Sequence, residues 1–290
     1  MRKLHLADGR TLEYLVAGPA DGIPLVLHNG TPSGAKFFEP MVATAARHGL
    51  RVVVHSRPGY GDSSPRPGRT VASVAADVTA VLDELGADRF LTVGWSGGGP
   101  HALACAALLP GRCVAAATVA GVAPYAADGL DWLDGMGAEN IEEFGAAVAG
   151  EAPLTAFLTA QVPGLAAVRA DEIAAALGDL VSQVDRDALT DEFAEYTAAL
   201  FREAVAGGVA GWRDDDLAFI GDWGFDLGAL KTPVSVWQGA EDRMVPYAHG
   251  RWLADRLPTA TAHLKATEGH LSLMLNAFDA IVADLARHLP

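Results

Sequence analysis

The chain has 290 residues, half of them hydrophobic and 20% charged, with a formal net charge of −15. That length and composition suit one large core with room for an insertion, and they exclude a disordered chain. No apolar run approaches the roughly 20 residues that cross a bilayer, so neither a membrane span nor, with this surplus of acid, a nucleic-acid partner is expected.

At the N-terminus, Leu4–Leu6 and Thr11–Ala17 flank Asp8-Gly9-Arg10, a hairpin signal. Asp8 arrives before an apolar signal-peptide core could form, so this end reads as part of the mature fold and the protein as cytoplasmic. Leu25–His28 is a short apolar run ending at Asn29-Gly30, which predicts a buried strand. Phe37–His48 reads as a helix and Arg51–His55 as the next strand. Val71–Leu85 carries Val74, Val78, Val81, Leu82 and Leu85 at helical spacing. Phe90–Val93 predicts a strand, Gly98–Leu109 an Ala-rich helix stopped by Pro110, and Cys113–Val119 a further strand.

After Gly121 the pattern changes. From Pro124 to Asp226 the candidates are helical only: Ile141–Ala149, Asp171–Val184 and Asp187–Ala206. Alternation resumes with strands at Val234–Trp237 and Ala260–Leu264 and helices at Tyr247–Arg256 and Met274–His288. Strand–helix alternation on both sides of a helical block predicts an α/β fold with a mostly parallel, doubly wound sheet. The core is expected over residues 1–123 and 227–290, with residues 124–226 as an inserted helical cap over the C-terminal edge of the sheet.

The acidity belongs to that block. Residues 124–226 hold 21 Asp and Glu against 4 Lys and Arg, while the remainder is close to neutral. Acids such as Asp191, Glu192, Glu195 and Glu203 are expected on solvated helix faces. The rival expectation is that one or two point inward and bind a substrate cation. Cys105 and Cys113 read as buried thiols, and no Cys/His cluster has zinc spacing.

Gly94-Trp95-Ser96-Gly97-Gly98 is a G-x-S-x-G placed directly after a predicted strand and before a predicted helix. A nucleophile exposed on so tight a turn needs flanking residues without Cβ atoms, and the helix N-terminus favours developing negative charge. A Gly-rich turn without chemistry is the plain alternative. A serine also needs a base. His270, one of nine histidines, lies just past the last predicted strand, on what reads as a loop at the same sheet edge as Ser96. The base needs an acid to orient it. Asp242 follows the strand ending near Gln238, with Glu241 as local rival, and no carboxylate follows the strand ending at Val119. The backbone N–H groups of Gly97 and Thr31 are the expected oxyanion donors.

Asn29-Gly30-Thr31-Pro32, Arg57 to Ser63, the Ser96 elbow, Gly239 to Pro246 and Gly269-His270 together resemble the α/β-hydrolase superfamily from end to end, the helical block excepted. His28 departs from the pattern by one place and reads as structural, as does His101; Arg57 and Asp62 are expected to stabilise their own turn. The resemblance implies attack of Ser96 on an acyl carbon, proton transfer to His270 and hydrolysis of an acyl-enzyme, with no cofactor or metal. The expected partner is a small-molecule substrate, a mainly apolar ester, lactone or thioester; a homo-oligomer is compatible with the sequence. Competing readings are an aminopeptidase resembling proline iminopeptidases, a carbon–carbon bond hydrolase, and a ligand receptor with slow turnover. Trp132, Trp212 and Trp223 are expected either to line an apolar pocket or to anchor the helical block.

Overall fold

A computed structural model describes residues 1–289. Eight strands form one sheet: β1 (Arg2–His5), β2 (Thr11–Ala17), β3 (Ile23–His28), β4 (Leu50–His55), β5 (Phe90–Trp95), β6 (Cys113–Val119), β7 (Val234–Gly239) and β8 (Ala260–Lys265). Their spatial order is β1-β2-β4-β3-β5-β6-β7-β8. The hairpin β1–β2 pairs Arg2 with Tyr14 and joins β4 antiparallel, and the remaining pairs are parallel. The interior strands β5 and β7 are buried at every residue, as strands covered on both faces must be.

Alternation along the strands sorts side chains into two cores. Val26 and Val53 point to the layer of α2 (Val74–Glu84), α3 (Gly99–Leu108) and α10 (Tyr247–Arg256). Leu25, Leu27, Val52 and Val54 point to the layer of α1 (Glu39–Arg47) and α11 (His270–Ala286). The chain runs from β3 outward to β4, then crosses to β5 on the other side of β3. Connections therefore diverge at the C-terminal ends of β3 and β5, where open α/β sheets leave a crevice. His28 and Trp95 end those two strands.

All helices between β6 and β7 lie in one segment: α4 (Ala138–Ala149), α5 (Glu151–Ala167), α6 (Ile173–Ala176), α7 (Gln183–Ala188), α8 (Asp191–Ala204) and α9 (Ala210–Ile220). Several bounds depart from the expected ones. Asp171–Val184 is no continuous helix but a short α6, a tight turn at Gly178–Leu180 and the start of α7. A break at Leu189-Thr190 separates α7 from α8. Helix α5 carries Pro163 in its interior and Pro153 in its first turn, which masked it in the sequence. Helix α9 was hidden by its run Asp214-Asp215-Asp216, which reads as surface yet is buried. Cys105 and Cys113 are free buried thiols, as expected.

Candidate active site

Chain reversal between β5 and α3 sets the first feature. Ser96 has φ 55°, in the left-handed region that costs a side-chain-bearing residue energy. Two glycines make the turn possible. A Cβ at Gly94 would strike the Gly98 carbonyl, and one at Gly98 the His28 carbonyl. The half-buried Ser96 thus stands on a 3-10 turn (Ser96–Gly98) leading into α3.

His270 is not on a loop, as its sequence context suggested, but is the first residue of α11. Its Nδ1 lies 2.9 Å from Asp242 Oδ2 and 3.1 Å from Oδ1. The Asp242 carboxylate is in turn fixed: Oδ1 accepts the N–H groups of Met244 and Val245 at 2.9 and 2.8 Å, and Oδ2 accepts Gln238 Nε2 at 3.0 Å. Glu241, the rival acid, is exposed. Burial pulls the His270 imidazolium down, but the adjacent Asp242 carboxylate, helped by Asp185, more than offsets it, so the pKa lies above the ordinary imidazole value. Trp95 Nε1 donates to the His270 carbonyl at 3.2 Å.

A third carboxylate holds the histidine's backbone. Asp185 of α7, fully buried, accepts the N–H groups of His270 (3.0 Å), Leu271 (2.8 Å) and Ser272 (3.0 Å). These are orphan donors at the start of α11, so Asp185 caps that helix from a distant part of the chain. Gly269 is required there, because a Cβ would run into the Asp185 carboxylate. Ser272 Oγ accepts the Gly269 N–H at 2.8 Å and completes the helix start.

The loop after β3 is held by an ionic cluster. Arg57, expected to stabilise its own turn, does contact Tyr60 there but also reaches the loop after β3: it donates to the carbonyls of Asn29 (2.7 Å) and Gly30 (2.8 Å) and to Thr31 Oγ1 (3.0 Å). Its partner is Asp215 of α9, which also takes Arg69 at 2.7 Å, Tyr60 Oη at 2.9 Å and Thr31 Oγ1 at 2.9 Å. Burial alone would raise the Asp215 pKa, but the two guanidinium groups hold it well below the usual carboxylate range. Thr31 is thereby packed against Gly97, where an added Cβ would meet the Thr31 side chain. Asp62 pairs with Lys3 at the surface.

Two adjoining cavities share Ser96, Thr31 and Met244 in their walls. One is completed by Trp95, His270 and Leu271. The other, about 860 Å³ counting its opening to solvent, is completed by Gly97, Phe144, Phe219, Glu143 and Asp216. Among the described residues, no hydrogen bond joins Ser96 Oγ to His270, although both face the first cavity. Such bonds are often long without substrate and tighten on binding.

A family model described as the alpha/beta hydrolase fold matches residues 23–277. The chain belongs to the α/β-hydrolase family. Similar α/β-hydrolase relatives include a non-heme chloroperoxidase of Streptomyces lividans, 31% identical over 93% of this chain and 92% of its own. A pimeloyl-[acyl-carrier protein] methyl ester esterase of Chromobacterium violaceum is 28% identical over 91% of this chain and 93% of its own. Among solved structures, an esterase from Rhodococcus superposes with TM-score 0.69 at 22% identity, covering 100% of this chain and 99% of that one. The family and its esterase and hydrolase members support an enzyme with hydrolase activity.

Within this α/β-hydrolase, His28 and His101 are buried. His101 sits 3.7 Å from Asp215, and burial lowers its pKa to about 4. Trp132 ties the helical segment to the core through the Ala123 carbonyl, Trp223 Nε1 donates within the segment to the Phe219 carbonyl, and Trp212 lines the larger cavity. Sequence reasoning missed Asp185, Asp215, Glu143 and Asp216. For Asp185 no local signal exists, since its partners lie 85 residues away. For Asp214 to Asp216 one did: three consecutive helical residues cover about 200° of arc, so flanking Trp212 and Phe219 could not keep all three in water.

Proposed function

We propose that the chain is a serine hydrolase that cleaves a small carboxylic ester, lactone or thioester through an acyl-Ser96 intermediate. In this reading residues 124–226 form a cap over a core of residues 1–123 and 227–290. Ser96 Oγ attacks the acyl carbon while His270 Nε2 takes its proton. Asp242 fixes the tautomer that leaves Nε2 free and stabilises the imidazolium. The backbone N–H groups of Gly97 and Thr31 receive the oxyanion, with Thr31 held in place through Arg57 and Asp215. The imidazolium then returns its proton to the leaving oxygen or sulfur as the carbon–heteroatom bond breaks. Water, deprotonated by His270, attacks the acyl carbon and releases Ser96 as the acid departs.

The single observation that carries this reading is the pairing of His270 with an Asp242 carboxylate already fixed by three donors, beside a serine on a strained elbow. A hydroxyl, an imidazole and a locked carboxylate are the groups acyl transfer uses directly. A panel of p-nitrophenyl esters, thioesters and lactones tests it. Burst release of p-nitrophenol equal to one site per chain is expected; turnover without dependence on Ser96 would contradict it.

A further inference from the structure

The acids of the helical segment fall into two populations. Asp191, Glu192, Glu195 and Glu203 are exposed, as expected of solvated faces. Glu143, Asp185, Asp214, Asp215 and Asp216 are buried, so that expectation does not extend to every acid of the segment. Four of the buried five have assigned work or a partner: Asp185 caps α11, Asp215 binds Arg57 and Arg69, Asp214 pairs with Arg213, and Glu143 Oε1 accepts Trp212 Nε1 at 2.6 Å. Asp216 is different. It is 1% exposed, it lines the larger cavity with Ser96, and among the described residues it has no cation partner and its Oδ2, like Asp214 Oδ2, receives no donor.

Glu143 and Asp216 come from facing helices, α4 and α9, and stand within hydrogen-bonding reach of each other. Two carboxyls this close in an apolar wall must share a proton. Burial raises both, Glu143 to about 7, and for Asp216 the charge of Glu143 adds to the effect. Glu139, one turn earlier on α4, adds a third carboxyl to the same wall. It is raised by burial and by the nearby Asp179 and Glu142. Among the described residues, no Lys or Arg lines this cavity. The arginines behind it are committed elsewhere: Arg57 and Arg69 to Asp215, and Arg213 to Asp214 and Glu151. The wall therefore lacks one cation, and the shared proton stands in its place.

We propose that Glu143 and Asp216 form a subsite for a protonated amine on the substrate, in the same cavity as Ser96. The inference rests on the serine-hydrolase reading for its assignment to one end of the substrate. His270 walls the smaller cavity and not the larger one, and it must reach the leaving oxygen. The leaving group thus occupies the smaller cavity and the acyl part the larger, so the ammonium belongs to the acyl part. An ammonium brings three donors, enough to satisfy Asp216 Oδ2 and Glu143 together. It displaces the shared proton, which leaves to solvent, so the net charge of the wall is unchanged. Phe144, Phe219 and Val122 supply the apolar surroundings that make this ion pair strong and an unpaired carboxylate costly. A neutral acyl chain leaves the proton where it is and gains nothing from the pair.

The test is calorimetric titration of the full chain with n-butylammonium and, separately, n-butanol, at pH 6.5 and 8.5 in buffers of different ionisation enthalpy. The ammonium is expected to bind at least about tenfold tighter than the alcohol, the difference expected of a charged hydrogen bond. It should bind tighter at pH 8.5, with release of a proton. Glu143→Gln, which keeps an oxygen for Trp212, and Asp216→Asn should each lose that preference while keeping the wild-type thermal midpoint within a few degrees. Equal affinity for the two ligands in the wild-type protein would overturn the subsite, whatever the variants do. Survival of the preference in both variants would overturn it as well. The titration reads binding without turnover, so its failure removes the subsite alone, whereas failure of Ser96 to acylate removes the hydrolase reading alone.

Discussion

The Asp185 carboxylate, contributed by the helical segment, accepts the backbone N–H of His270 at 3.0 Å, so the proposed base is held at both ends by acids. Asp242 fixes the ring and Asp185 fixes the backbone from which the ring projects. Asp185→Ala removes three acceptors from a buried helix start and should destabilise the protein by about 2 kcal/mol or more. Asp185→Asn keeps part of the cap and removes the charge. Since Asp185 helps to raise the His270 pKa, the acid limb of kcat/KM should move to lower pH in this variant. An unchanged acid limb would mean that Asp185 only stabilises the helix. Urea unfolding and pH–rate profiles separate the two effects.

The wild-type pH profile follows from the same group. His270 acts as base only when neutral, and its pKa is raised. Activity should therefore be complete at alkaline pH and fall as pH drops through a value above the ordinary imidazole pKa. Stopped-flow acylation by a p-nitrophenyl ester between pH 5 and 9 measures it. A midpoint well below that of free imidazole would mean that burial outweighs the Asp242 charge.

Asp215 is the stability counterpart. Asp215→Ala leaves Arg57 and Arg69 buried without their carboxylate and should cost about 3–5 kcal/mol. Its folded pKa is depressed, so the stabilisation is present above the unfolded carboxylate value of about 4 and is lost as pH falls through the lower folded value. Denaturant midpoints at pH 7 and pH 3 should show the variant's deficit shrinking at the acid end. Arg57 also holds the Asn29 and Gly30 carbonyls, so Arg57→Ala should lower kcat as well as stability.

Asp242→Asn should reduce turnover by about 10⁴, the scale seen when a triad acid loses its charge. Glu241→Gln, at an exposed side chain, should change turnover less than about twofold. Steady-state kinetics on a single ester ranks the two, and the reverse order would move the acid to Glu241.

Much of this was legible because it is local. The hairpin at Asp8-Gly9, the buried runs of β3 to β7 and the Gly-flanked Ser96 each follow from residues adjacent in sequence. Asp242 and His270 were legible by their positions after β7 and β8. What stayed hidden is long-range. The grip of Asp185 on α11 and of Asp215 on Arg57 joins residues 85 and 158 apart, and acids at such distances look like any solvated charge. The helical segment hid its own elements for a different reason. Pro163 inside α5 argues for a break that the surrounding packing overrides, and the buried face of α9 is written in aspartates, two of which, Asp214 and Asp215, are paired with arginines.

The most direct test of the central claim is covalent labelling with a fluorophosphonate, followed by mass spectrometry of the labelled peptide. The wild-type chain should take up one label per molecule, on the peptide carrying Ser96. Ser96→Ala, folded to the same thermal midpoint within a few degrees, should take up none. A label on any other residue of the wild-type chain, or persistent labelling of Ser96→Ala, would contradict the account.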